Sequence, residues 1–105
     1  MRVRGGLEGP LVSESSPERR ELVYSGHVQG VGFRYTARRI AQGYNVAGFV
    51  RNLWDGRVQI AVEGHPLEID AFLGEIETRM GGYIRDVTES RLPSTGEFSV
   101  FEIRF

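Results

Sequence analysis

The segment from Gly26 to Arg34, Gly-His-Val-Gln-Gly-Val-Gly-Phe-Arg, restricts what this chain can fold into more than any other stretch. Ahead of it, Leu22, Val23 and Tyr24 suit a pleated surface, and after it Phe33, Ala37, Ile40 and Ala41 recur at helical spacing. The glycines therefore fall in a turn that leads from a strand into a helix. Glycine tolerates positive φ and close backbone approach, so successive N–H groups can converge on one anion, beside the partial positive charge of the helix N-terminus. Arg34 falls in the first helical turn, where its planar guanidinium can grip two phosphate oxygens. Taken alone, these residues fit either such an anion cradle or a glycine-rich turn beside a solvated arginine.

Composition and residue order remove several other chemistries. The glycine spacing is not Gly-x-Gly-x-x-Gly, and the chain contains no lysine, which excludes a Walker-type loop and lysine Schiff-base catalysis. Without cysteine there is no thiol nucleophile, thiolate zinc site or disulfide, and no Gly-x-Ser-x-Gly elbow occurs. At 105 residues, with 40% hydrophobic and 26% charged, the chain suits one small globular domain. Thirteen arginines against fourteen acids give a net charge of −1, so neither nucleic acid nor an anionic membrane is an expected partner. The first twenty residues lack the apolar run of a secretory signal, no stretch is long enough to span a membrane, and a cytoplasmic location is expected.

Residues 1–20, rich in Gly, Ser, Pro and charge, are expected to form a flexible extension, leaving residues 21–105 as the domain. The patterning predicts a strand over Glu21 to His27, the glycine turn, a helix over Phe33 to Gln42 ended by Gly43, and a second strand over Val46 to Asn52. A third strand is predicted over Arg57 to Glu63, with Val58, Ile60 and Val62 alternating against Arg57, Gln59, Ala61 and Glu63. Leu53-Trp54-Asp55-Gly56 reads as the hairpin turn between these strands. Pro66 opens a second helix carrying Ile69, Phe72, Leu73, Ile76 and Met80 on one face, which Gly81 and Gly82 end. Strands over Tyr83 to Arg91 and Phe98 to Phe105 complete the pattern, the last with Phe101, Ile103 and Phe105 on one side. The order β-α-β-β-α-β plus a short fifth strand predicts an α+β, ferredoxin-like split β-α-β sandwich, an antiparallel sheet with two helices on one face.

In that topology the first two strands run parallel on either side of the third, so the glycine turn and Asn52 reach the same edge of the sheet. Two strand spacings are roughly 10 Å, a gap that an arginine and an asparagine side chain can bridge across a small ligand. A carboxamide at a strand end can both donate and accept hydrogen bonds, although an asparagine before a hairpin is also an ordinary turn former.

Together, Gly26 to Arg34 and the segment Gly48-Phe49-Val50-Arg51-Asn52-Leu53-Trp54-Asp55-Gly56-Arg57-Val58 resemble the two signatures of the acylphosphatase family, and Val62-Glu63-Gly64 is similar as well. The resemblance covers about residues 21–105. It implies metal-independent hydrolysis of the carboxyl-phosphate bond of small acyl phosphates to carboxylate and inorganic phosphate, with no cofactor. In the family pattern the arginine matching Arg34, with the backbone N–H groups matching Gln29, Gly30, Val31, Gly32 and Phe33, binds the phosphoryl group. The asparagine matching Asn52 positions the attacking water. The chain departs from the pattern at Gly32, where some members carry an aromatic residue or histidine, and at Phe49, where tryptophan is frequent. Backbone freedom at Gly32 is expected to loosen the cradle and moderate turnover.

The remaining polar groups read as structural. His27 and His65 have no acidic or cysteine partner at metal spacing and are expected at a strand end and a helix entry. Arg38 and Arg39 read as a solvated helix face, as do Glu75 and Glu77, while Trp54 either covers the hairpin or shapes the acyl side of a pocket. A non-catalytic phosphate-binding or regulatory module on the same fold is the competing reading. Single-stranded RNA binding on the open sheet face would need aromatic residues on the central strands, where the third strand offers Gln59 and Ala61. A monomer acting on a small-molecule acyl phosphate is the expectation.

Overall fold

Alternating apolar residues in two neighbouring strands put Leu22 and Tyr24 on the same side as Val58, Ile60 and Val62, and that side is buried. A computed structural model of the chain describes residues 16–105. The elements are β1 (Glu18–Gly26), α1 (Phe33–Ala41), β2 (Val46–Asn52), β3 (Val58–Gly64), α2 (Pro66–Met80), β4 (Ile84–Pro93) and β5 (Phe101–Arg104), with a 3₁₀ turn at Gly81–Tyr83. They form a five-stranded sheet in the order β4-β1-β3-β2-β5. Both helices bury their apolar stripes against one face, Phe33, Ala37, Ile40 and Ala41 from α1 and Ile69, Phe72, Ile76 and Met80 from α2. Each fully buried large apolar side chain contributes about 1.5–3 kcal/mol, which makes this single layer the main source of stability.

The ferredoxin-like α+β architecture is as expected, with corrections in detail. The sheet is mixed, because β5 runs parallel to β2 while the pairs β1–β3, β1–β4 and β2–β3 are antiparallel. β1 begins at Glu18, within the stretch read as an extension, and the part of that extension up to residue 15 lies outside the described residues. Its early start is stabilised by Arg20, only 3% exposed, whose guanidinium pairs with Glu18 at 2.6 Å and Asp70 at 2.5 Å. β3 starts one residue later than predicted, at Val58, and β4 is shifted towards its C-terminus, ending at Pro93.

The predicted last strand is the least accurate, since only Phe101–Arg104 pairs. β4 and β5 lie at opposite edges of the sheet, so residues 94–100 must cross it. The crossing explains why Ala61 and Glu63, assigned to the solvent side of β3, are buried at 0% and 6% exposure. Glu63 accepts hydrogen bonds from Thr95 Oγ1 at 2.7 Å, Ser94 Oγ at 2.8 Å, Thr95 N at 2.9 Å and Gly96 N at 3.0 Å. Further along, the Phe98 ring packs edge-on against Phe49, and Val100 accepts from Gly48 N at 2.9 Å. Phe49 is therefore enclosed beneath Phe98 and the Arg104 guanidinium and offers no open ring for base stacking.

Candidate functional site

Val28 and Phe33, 1% and 2% exposed, anchor the two ends of the glycine turn in the core. Its start is held by a hydrogen bond from His27 N to the Tyr83 carbonyl at 2.9 Å. Between these anchors Gly30 and Gly32 are exposed and adopt φ of 78° and 81°, the left-handed region that a side chain disfavours. Gly32 is the N-cap of α1, has no capping side chain, and no acid occupies the first turn. Among the described residues, no acceptor engages the main-chain N–H groups of Gln29, Gly30, Val31, Gly32 or Phe33. This exposed run of donors at a helix N-terminus is electrostatically suited to an anion.

Arg34 lies in the first turn of α1, half-buried. Its guanidinium donates to the Arg104 carbonyl at 3.4 Å and stacks on the Phe105 ring, 4.8 Å from the ring centroid. No carboxylate among the described residues pairs with it, which leaves its charge uncompensated. Arg104 stands in register with Arg51 in the parallel β2–β5 pair, and Asn52 is the next residue of β2. The guanidinium and Asn52 are thus brought to the same corner of the sheet. Asn52 is half-buried opposite Val58, and its carboxamide has no hydrogen-bond partner among the described residues.

The arrangement of strand, glycine turn, helix and second strand end has matches among known proteins. The acylphosphatase family profile matches residues 20–103. The chain belongs to the acylphosphatase family. An acylphosphatase of Methanospirillum hungatei is 40% identical over 89 residues, covering 83% of this chain and 97% of that protein. One from Archaeoglobus fulgidus is 48% identical over 58 residues, which are 55% of this chain and 65% of that protein. The crystal structure of acylphosphatase from Bacillus subtilis superposes with a TM-score of 0.75 at 28% identity, covering 84% of this chain and 99% of that one. No helix among the described residues is long and apolar enough to cross a membrane.

Within this acylphosphatase-family domain, one role was not legible in the sequence. Gln29, selected for its N–H, also uses its side chain, which donates to the carbonyls of Leu53 at 2.8 Å and Arg57 at 2.9 Å. The glycine turn is thereby fastened to the β2–β3 turn just beyond Asn52. That turn is itself closed by Leu53 N to Arg57 O at 2.8 Å and Gly56 N to Leu53 O at 3.2 Å. No local signal marks Gln29 for this task, because both acceptors are main-chain atoms on a distant hairpin. Trp54 does not cover the hairpin, as 97% of it is exposed. His65 is at the entry to α2 as expected, its Nδ1 accepting from Leu67 N at 3.3 Å, and the His27 ring lies beside Tyr83 with centroids 6.4 Å apart.

Proposed function

We propose that this protein hydrolyses the carboxyl-phosphate bond of small acyl phosphates, with Arg34 and the Gln29 to Phe33 turn binding the phosphoryl group and Asn52 positioning the water. The observation that carries this reading is the placement of three groups at one corner of the sheet: the open N–H run, the guanidinium with no carboxylate partner among the described residues, and the Asn52 carboxamide. Phosphoryl transfer from an acyl phosphate has a good leaving group, so catalysis needs orientation and charge stabilisation more than a strong base. Five N–H donors and Arg34 hold the equatorial oxygens while their charge develops. Asn52 orients water in line with the bond that breaks. The water oxygen forms the new P–O bond, the carboxylate leaves with the bonding pair, and both water protons end on phosphate oxygens, giving carboxylate and dihydrogen phosphate.

The test is hydrolysis of benzoyl phosphate in the presence of chelator by wild type, Asn52→Ala and Arg34→Ala. Asn52→Ala is expected to lower kcat about 10²-fold with little change in KM, as for loss of a positioning contact. Arg34→Ala is expected to lower kcat and raise KM together, because the charge contacts ground and transition states alike. A wild type that binds inorganic phosphate but does not turn over would instead identify a phosphate-binding module on the same fold.

A further inference from the structure

A tight turn usually carries polar residues at its tip, yet this one presents the chain's single tryptophan almost wholly to water. An indole left in solvent forgoes a large apolar contact area. Trp54 makes no ring or cation contact with any described residue. The nearby Arg57 guanidinium is committed to Asp55, at 2.8 Å, and does not lie over the indole.

The platform beneath Trp54 is rigid. Its backbone is closed by the Leu53–Arg57 and Leu53–Gly56 hydrogen bonds, its Asp55 carboxylate receives Arg57 N at 3.2 Å, and Gln29 links it to the phosphate turn. The hairpin backbone that carries the indole, two residues beyond Asn52, is therefore held against the glycine turn. The hairpin that carries Trp54 is fastened to the glycine turn through Gln29, so an acyl group that extends towards this hairpin from a phosphoryl group in the cradle meets the indole. A methyl group ends close to the carbonyl carbon. An aromatic ring extends several ångströms further and presents a face that can stack on an indole.

We infer that Trp54 is an acyl-recognition residue that biases this enzyme towards acyl phosphates with an aromatic acyl group. The inference rests on the assignment of Arg34 and Asn52 proposed above and adds the substrate class. Stacking at an exposed site is worth about three- to tenfold in kcat/KM.

The experiment compares kcat/KM for benzoyl phosphate and acetyl phosphate in wild type, Trp54→Phe and Trp54→Ala, with titration of Trp54 fluorescence by benzoylphosphonate and by inorganic phosphate. The expected result is a benzoyl-to-acetyl ratio that falls about three- to tenfold in Trp54→Ala and is largely kept in Trp54→Phe. Trp54 emission should change with benzoylphosphonate and not with phosphate. Because the chain has one tryptophan, the emission reports this residue alone. An active enzyme whose ratio is the same in Trp54→Ala as in wild type overturns the inference and leaves the site assignment standing, as does inhibition by benzoylphosphonate without an emission change. A wild type inactive on both substrates overturns the assignment and the inference with it.

Discussion

The side-chain nitrogen of Gln29 donates to the main-chain carbonyl of Leu53 at 2.8 Å, a contact between residues 24 positions apart in sequence that sets the glycine turn against the turn after Asn52. Since it also reaches Arg57 O at 2.9 Å, one carboxamide satisfies two hairpin carbonyls. Gln29→Leu keeps the bulk and removes both donors. With the roles proposed for Asn52 and the glycine turn, it is expected to lower kcat about tenfold, because misplacement of the water relative to the phosphoryl group acts on the chemical step. Shifted backbone amide resonances at residues 29–33 should accompany the loss, and unchanged resonances with unchanged kcat would dismiss the strut.

The cradle depends on backbone conformation at Gly30 and Gly32, whose φ values are 78° and 81°. A Cβ built at either position meets nothing within 4 Å, so the penalty of Gly32→Ala is conformational and not a clash. About 1–2 kcal/mol is expected from the left-handed region. The chain can relieve that strain by rotating the peptide, which turns an N–H away from the anion. Weaker inhibition by phosphate, by about tenfold, together with a small drop in Tm, is the predicted signature.

Arg34 is steadied by the Phe105 ring, 4.8 Å away, on the face of the guanidinium. Phe105 is 91% exposed, so Phe105→Ala removes little core packing. A cation–π contact at an exposed site is worth about 0.5–1 kcal/mol. KM for an acyl phosphate should rise about two- to fivefold with Tm nearly unchanged. An unaltered KM would show that the Arg104 carbonyl alone orients the guanidinium.

Glu63 sets an acid limit on the fold. Burial by itself would raise its carboxyl, but hydrogen bonds from Thr95, Ser94 and Gly96 outweigh that effect and lower it from 4.5 to about 2. The folded value lies below the unfolded one, so its stabilisation is complete above about pH 4.5 and is lost as pH falls towards 2. Glu63→Gln should destabilise the protein by about 2–3 kcal/mol at pH 7, measured by urea denaturation, and the gap to wild type should close between pH 4.5 and 2. A gap that persists at low pH would assign the effect to packing of residues 94–100.

Much of the local structure around the candidate site was readable because its parts are contiguous. The glycines from Gly26 to Gly32, the helical spacing from Phe33 onward and the alternation ending at Asn52 are local patterns, and β2 has the predicted limits Val46–Asn52. Near-exact placement of both helices follows from the same cause, since Gly43 and Pro66 act on the backbone where they stand.

Other features depend on which distant residues the fold brings together. Nothing local marks Glu63 as a buried acceptor, and its partners at residues 94–96 reach it only because β4 and β5 occupy opposite sheet edges. The same crossing makes β5 short and parallel to β2, and delivers Arg104 and Phe105 to Arg34, 70 positions away in the hydrogen bond to Arg104. The sequence alone determined the chemistry available, through dihedral preferences and periodicities carried by neighbouring residues. Tertiary structure decided which carbonyls Gln29 would hold, which face of Arg34 would be covered and that Trp54 would stand free, because each of these depends on contacts between segments whose approach no local preference encodes.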